Sequence, residues 1–288
     1  MAAAFDWYQA TIRENTDDVL EACMGLSERS VLRHTKGRQG YGTVTRLEDP
    51  EGLVAQVLHG GTHAYPHVII SGGGAQAGSE LIRVKFPNHL VTRIDSRVDF
   101  AEPDAFDRIT PVLVSAAQRH RVKVDTRGDH LLTKQGRTVK LGASTSAVQL
   151  REYDKAAELR SKFHHDPVAL AGIPEYLTRV EVQVRPQTHD MRQQFATIDP
   201  LSVLGASAWS REVWAVIAGM ELKPLNVGKV WRQSDDDRAY ACMLFQYGPL
   251  IHRILLDAGS PECLGLQIAH DLACRDAAAK TERRGRGR

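Results

Sequence analysis

No run of about 18 or more apolar residues interrupts the 288-residue chain, which excludes a membrane-spanning helix. Cysteine is scarce. Cys23, Cys242, Cys263 and Cys274 are scattered, with no Cys-x-x-Cys pair, so zinc-finger and dithiol redox chemistry drop out. The opening Met-Ala-Ala-Ala-Phe-Asp-Trp lacks the basic start and apolar stretch of a secretion signal. Reduced thiols in a cytoplasmic protein, with no membrane partner, are the expectation. There is no Walker loop and no Gly-x-Ser-x-Gly elbow. Charge of one sign is lacking too. The net charge is +2, and the last nine residues alone carry five positive charges against one negative. A nucleic-acid partner would therefore need positive charge gathered on one face.

What the chain does have is 42% hydrophobic residues, enough for one large domain or a main domain with an appendage. Alternating patterns predict strands near 41–48, 52–59, 67–71, 89–100, 120–126, 137–142, 147–154 and 176–185. Helices are expected near 16–25, 103–119 and 155–163. Runs of strands with few helices indicate an α+β fold built on an antiparallel sheet. No sequence repeat is visible, yet diverged halves leave room for a structural duplication. After Pro186 the spacing turns helical over 188–218, 235–257 and 260–279, with Pro200 and Pro261 where helices would start. The division that follows is a main domain over 1–186, a helical C-terminal region over 187–279 and a basic disordered tail over 280–288.

Two features invite chemistry that their surroundings do not support. Gly72-Gly73-Gly74-Ala75-Gln76-Ala77 fits G-x-G-x-x-A, but nucleotide binding needs a helix next. SELIRVKF reads as another strand, so a hairpin loop is expected. His59, His63 and His67 are spaced like helical metal ligands. Gly60, Gly61 and Pro66 exclude a regular helix there.

Three strands present one polar face each. In RIDSRVDF, Ile94, Ser96, Val98 and Phe100 point one way and Arg93, Asp95, Arg97 and Asp99 the other. In VQLREYDK, Val148, Leu150 and Glu152 oppose Gln149, Arg151, Tyr153 and Lys155. In RVEVQVRP, Val180, Val182 and Val184 oppose Arg179, Glu181, Gln183 and Arg185. An antiparallel sheet commonly has one solvated face, and a strand tyrosine is ordinarily there for packing. The same residue types also fit one chemistry. Carboxylates hold a hard divalent cation, arginines hold phosphates, and a tyrosine attacks phosphorus.

Several segments in order carry a resemblance. FDWYQAT opens the chain, GRQGYGTVTRL spans Gly37 to Leu47, and VTRIDSRVDF contains the Arg-Ile-Asp strand. GRTVKLGASTSAVQLREYDKAAEL then runs from Gly136 to Leu159, and RVEVQV follows. Together, from Asp6-Trp7 to about Arg185, they resemble the replication initiation factor family of rolling-circle initiators of plasmids, filamentous phages and related conjugative elements. The family's Gly-Ser-x-x-Ser is softened here to Gly142-Ala143-Ser144-Thr145-Ser146, and the region beyond Arg185 has no counterpart in it. The chain also has no His-hydrophobic-His triplet, which directs metal binding toward carboxylates.

The resemblance implies an origin-specific DNA nickase and strand transferase with Tyr153, in Arg-x-Tyr-x-Lys, as nucleophile. It would leave a 5′-phosphotyrosyl link and a free 3′-OH primer, and later religate. Mg²⁺ or Mn²⁺ is the implied cofactor, held by Asp95 and Glu181 with Asp99 next. Asp95 and Asp99 stand about 13 Å apart along one strand, too far for one ion to take both directly. Arg151 and Lys155 flank Tyr153 and are expected to lower its pKa. Arg93, Arg97, Arg179, Arg185 and Lys140 are the implied DNA-binding residues. The implied partners are origin DNA, single-stranded or in a hairpin at the nick, a host helicase and polymerase, and a second copy of the chain. Two further readings stand beside this one: a relaxase nicking for conjugative transfer, and a non-catalytic origin-binding regulator.

Overall fold

The computed structural model describes residues 2–228 and 235–285. Strand β1 (Ala4–Thr11) leads through helix α1 (Thr16–Met24) into a meander of β2 (Val31–Lys36), β3 (Thr43–Asp49), β4 (Gly52–His59) and β5 (His67–Ser71). Asn15 caps α1 by accepting from the Asp18 N–H. After α2 (Ala75–Lys85) the order returns. β6 (Leu90–Phe100) leads through α3 (Ala105–His120) into β7 (Val124–Arg127), β8 (Thr138–Leu141), β9 (Val148–Asp154) and β10 (Thr178–Val184). Helices α4 (Lys155–Lys162) and α5 (Pro167–Ala171) lie between β9 and β10.

Among the described residues these strands form one ten-stranded antiparallel sheet, ordered β2-β3-β4-β5-β1-β6-β10-β9-β8-β7. In each half the last meander strand, β5 or β10, returns to pair with the half's first strand, β1 or β6. The halves join where β1 pairs with β6. The repeated order and pairing give an approximate twofold between those two strands. The fold is thus α+β on an antiparallel sheet, and it carries the internal duplication that no sequence repeat betrays.

One face of the sheet is covered by helices α2 and α3, joined by α7 (Pro200–Leu204). The core lies there, with Val180, Val182 and Val184, Ile94 and Val98, and Leu150 all buried. The alternation read from β6, β9 and β10 therefore assigns the faces correctly, and the opposite face is the polar one.

Four expectations need correction. SELIRVKF is not a strand. Its buried residues Ala75, Gly78, Ser79 and Ile82 recur at helical spacing in α2. A Cβ at Gly78 would come within 2.5 Å of the Ile70 side chain, so glycine lets α2 lie close on β5. A helix does follow the Gly-rich segment, but β5 pairs antiparallel on both sides, so the parallel βαβ setting of a dinucleotide site is missing. The strand expected from residue 120 starts at Val124, because α3 runs to His120 and ends at Arg121 in the left-handed conformation (φ 54°). β2 escaped the pattern altogether, being an edge strand exposed along most of its length.

The boundary at Pro186 also moves. The chain divides into units 1–230 and 231–288. α6 (His189–Gln194), α7 and α8 (Ala208–Ala218) belong to the first, with Phe195, Leu204, Val213 and Trp214 buried in the main core. The Trp214 ring stacks 6.5 Å from Phe100 of β6. Burying such side chains outweighs any boundary drawn from helical texture alone. The second unit holds two helices packed on each other, α9 (Asp235–Ala258) and α10 (Pro261–Gly285). α10 takes in most of the tail expected to be disordered, since Ala, Glu, Lys and Arg are good helix formers; residues 286–288 lie outside the described residues. Among the described residues no helix is long and apolar enough to cross a membrane.

One buried acid stands on the core side. Glu152 is fully buried and accepts from the Thr110 hydroxyl at 2.7 Å, while its other oxygen has no partner. Burial pushes its carboxyl up to about 8, against the Thr110 hydrogen bond and Arg137. The fold favours the protonated form, so this group's stabilisation is complete at low pH and is lost as pH rises through about 8. Glu152→Gln cannot ionise. It is expected to match the wild type near pH ~4 and to exceed it by roughly 1–3 kcal/mol above pH ~8, as measured by urea unfolding across pH.

Candidate active site

The polar face carries its charges on four adjacent strands, β1, β6, β10 and β9. Cross-strand register places Arg179 opposite Asp99 and Tyr153, Glu181 opposite Arg97 and Arg151, and Trp7 opposite Asp95. Asp154, the last residue of β9, caps α4 by accepting from the Ala157 N–H at 2.8 Å. The N–H groups of Lys155 and Ala156 donate to the Leu177 carbonyl. Tyr153 therefore sits at a fixed strand-to-helix corner.

The Tyr153 hydroxyl donates to Glu181 Oε1. Arg151 Nη2 donates to Glu181 Oε2 at 2.6 Å and reaches Asp95 Oδ2 at 3.4 Å. Arg93 holds Asp95 with two bonds, Nε at 2.9 Å and Nη2 at 2.5 Å. A second group lies beside this one. Arg179 forks onto Asp99 at 2.6 and 2.9 Å and gives Nη1 to Asp6 at 2.7 Å, while Arg97 pairs with Asp99 and Asp6. Four arginines thus face four carboxylates. The side chains of Asp95 and Glu181 are only 1% exposed, so these ions are nearly withdrawn from water and depend on one another.

Those surroundings set the protonation of each group. Burial raises Tyr153, and the negative Glu181 and its hydrogen bond raise it further, against Arg179. Arg151 and Lys155 were expected to lower the phenol, but the net shift is upward. Arg151 is spent on Glu181 and Asp95, and Lys155 pairs with Glu158 at 2.9 Å, its Nζ 5.6 Å from the Tyr153 ring centre. Burial raises Glu181 despite Arg151, and burial raises Asp95 against its arginines. Burial works against the Arg151 guanidinium, but Glu181 and Asp95 outweigh it, so it too is raised.

A cavity of about 740 Å³ opens over the site, lined by Tyr153, Glu181, Arg97, Arg151, Arg179 and Lys155 among others. Asp6, Trp7 and the loop Ser71-Gly72-Gly73 reach it from the other half. A neighbouring cleft shares Tyr153 and Lys162 and adds Lys134, Arg137 and Arg160. Lys140 lies beside Arg151 in the sheet, and Arg185 donates to the Ser144 carbonyl at 2.9 Å. Neither forms an ion pair among the described residues, and each has its pKa lowered by burial first and then by a neighbouring arginine.

The residues expected to bind metal are not gathered into one shell. Asp99 belongs to the Arg179 group, and among the described residues no three His, Cys, Asp or Glu side chains are arranged to hold an ion. Asp95 and Glu181 do fit a hard cation in kind, offering oxygen ligands from nearby strands. The single Arg151 nitrogen that contacts both marks the point between them. Asp6 is the site residue the motifs missed. Alternation in β1 is broken by a bulge between Phe5 and Trp7, so its side chain could not be assigned a face.

Arg179→Met is expected to leave Asp6 and Asp99 without their main partner. Their side chains are 14% and 25% exposed, so the loss falls below that of a fully buried pair. About 2–3 kcal/mol is expected in urea unfolding.

No protein-family model matches the chain, and no curated protein matches it in sequence. Among solved structures, the rolling circle replication initiator protein from Geobacillus stearothermophilus is similar. The two are 21% identical with a TM-score of 0.49, over 70% of this chain and 82% of that one.

Proposed function

We propose that this chain is a rolling-circle replication initiator that nicks and rejoins one DNA strand through Tyr153. The observation carrying that reading is the hydrogen bond from the Tyr153 hydroxyl to the buried Glu181, beneath an open cavity walled by Arg97, Arg151, Arg179 and Lys155. A raised phenol stays protonated until it reacts, so it needs a base in contact, and Glu181 is in contact. A carboxylate raised by burial is also a better proton acceptor near neutral pH than an exposed one.

In the proposed reaction the Tyr153 oxygen bonds to phosphorus as its proton passes to Glu181. The bond from phosphorus to the 3′ oxygen breaks, and that oxygen leaves as a hydroxyl after taking a proton from solvent. The phosphate stays on Tyr153 as a 5′-phosphotyrosyl ester. In the reverse step a 3′-OH attacks phosphorus and gives its proton to solvent, the bond from phosphorus to the Tyr153 oxygen breaks, and Glu181 returns the proton to Tyr153, which rejoins the strand. Arg97 Nε and Arg151 Nε, on two residues that line the cavity, are buried donors without a hydrogen-bond partner, and phosphate oxygens would satisfy them. Lys140 and Arg185, with Arg93, Arg97 and Arg179 nearer the centre, would hold flanking phosphates. Asp95 and Glu181 Oε2 are the residues to hold Mg²⁺ or Mn²⁺, which when bound would polarise the scissile phosphate. The released 3′-OH suits a host polymerase, on duplex opened by a host helicase.

The test is supercoiled DNA bearing the gene's own replicon, incubated with Mg²⁺ or Mn²⁺. Nicked circles and an SDS-resistant protein–DNA adduct are expected, and both disappear in Tyr153→Phe and with chelator. Glu181→Gln should slow adduct formation by roughly 10²–10⁴-fold. Specific binding without cleavage would instead mark an origin-binding regulator, and cleavage surviving Tyr153→Phe would assign another nucleophile.

A further inference from the structure

The duplication gives the first half a position topologically equivalent to that of the active-site cavity, and a second cavity lies there. The active-site cavity lies at the start of β10, the strand that closes the second half, and includes Arg179. The corresponding position in the first half is the start of β5, the strand that closes that half. A cavity of about 390 Å³ lies there, lined by His67, Gln9, Thr11, Tyr41, His63, Tyr65 and Arg192, with Gln39 and Thr92. Its side chains are of a different kind. The His63 ring stacks on Tyr41 with centres 4.2 Å apart and planes 28° apart, and Tyr41 stacks in turn near His67 at 6.0 Å. Gln9 and Thr11 bond the two His67 ring nitrogens at 2.7 and 3.0 Å. Burial lowers His67 to about 4, helped by His63 and Arg192, so its ring is neutral and serves as a fixed polar group.

The histidine spacing that looked like a metal motif is thus resolved into two roles. His59 bonds the Thr45 hydroxyl, which also bonds His34, whereas His63 and His67 join Tyr41. Glycines hold the stack in shape. Gly61 would, with a Cβ, strike the Gly40 carbonyl oxygen at 2.3 Å, and the Thr62 N–H donates to that same oxygen at 3.0 Å. His63 Nε2 bonds the Gln39 carbonyl at 2.9 Å. The loop before β3 and the loop before β5 therefore interlock. They fix Tyr41 half-buried on the small apolar cluster of Val44, Leu58 and Ile69, and leave His63 and Tyr65 exposed.

Trp7, which lines the first cavity and donates from Nε1 to Gln9 of the second at 3.2 Å, stands opposite both Asp95 and Ser71 in the sheet, with the Arg93 guanidinium 4.2 Å above its ring. Four strand spacings, about 19 Å, separate β9 from β5. The open face thus runs from an arginine-rich centre, across a Trp–Arg stack, to an aromatic cavity edged by the exposed Arg192. Rings offering flat faces beside cations are what unpaired nucleic-acid bases and their phosphates require.

We propose that the Tyr41–His63 cavity is a second DNA site that stacks an unpaired base of the same strand whose phosphate lies at Tyr153, several nucleotides away. This inference rests on the nickase reading for the strand's identity, and the cavity itself takes no part in the chemistry. Its occupant is single-stranded DNA, held by stacking on His63 and Tyr65 and by charge at Arg192.

The test is fluorescence anisotropy of the full chain with an end-labelled oligothymidylate of about 12 nucleotides, in chelator so that no strand is cut. His63→Ala, and Tyr41→Leu, which keeps the apolar cluster filled, should each weaken binding about tenfold. His63→Phe and Tyr41→Phe should keep it, and a duplex of the same length should bind all five proteins alike. In the adduct assay, His63→Ala should require more DNA for half-maximal rate and reach the wild-type rate at saturation. Wild-type affinity in His63→Ala would overturn the proposal, as would equal losses for single strand and duplex. His63 is exposed, so that variant decides the matter even where Tyr41→Leu unfolds. If the wild type forms no adduct yet binding still depends on His63, the base site stands and the nickase reading falls. If adduct forms and its DNA dependence ignores His63, the reverse holds.

Discussion

The pairing of arginines with carboxylates across β1, β6, β10 and β9 is the constraint on which the rest of the polar face depends. Each of these ions is expensive to bury, and an unpaired one would cost several kcal/mol. β10 is buried along both faces, valines on one side and Arg179, Glu181 and Gln183 on the other. It tolerates this only because Arg179 meets Asp6 and Asp99, and Glu181 meets Arg151. The array therefore selects register as well as stability. A slip of one residue in β10 would turn Arg179 and Glu181 into the core and the valines out. Tyr153 inherits its place from that register, because its hydroxyl is tied to one of the paired carboxylates.

The same array explains why the phenol is held in its protonated form. Every arginine near it is matched to a carboxylate, so the local charge nearly cancels and burial prevails. On the proposed reading, an incoming phosphodiester changes that balance, competing for guanidinium groups and meeting buried donors that have no partner.

Duplication lets one topology carry two surfaces. β1 and β6 occupy matching positions, as do β5 and β10, yet one half gathers carboxylates and arginines and the other gathers rings. What joins them is β1, which lends Asp6 to one cavity and Gln9 and Thr11 to the other. Its bulge between Phe5 and Trp7 lets Asp6 reach Arg97 and Arg179 while Trp7 stays opposite Asp95.

Local alternation by itself determined which side chains of β6, β9 and β10 share a face, because strand period is a property of neighbouring residues and needs no knowledge of the fold. It gave the antiparallel α+β class for the same reason, and the motif around Tyr153 drew attention to a strand-to-helix corner that lines a cavity. It misled at SELIRVKF, where β-branched residues imitate a strand although Gly78 and Ile82 sit on a helical face against Ile70. It misled again beyond Pro186, where helical texture hid Trp214 in the main core. Tertiary structure alone decided which arginine meets which carboxylate, since Asp6 and Arg179, or Asp95 and Arg151, meet only through strand order. It also decided the sign of the Tyr153 shift and the stacking of His63 on Tyr41. Each depends on how closely distant segments approach and how much water they exclude, and neither quantity is written in residue spacing.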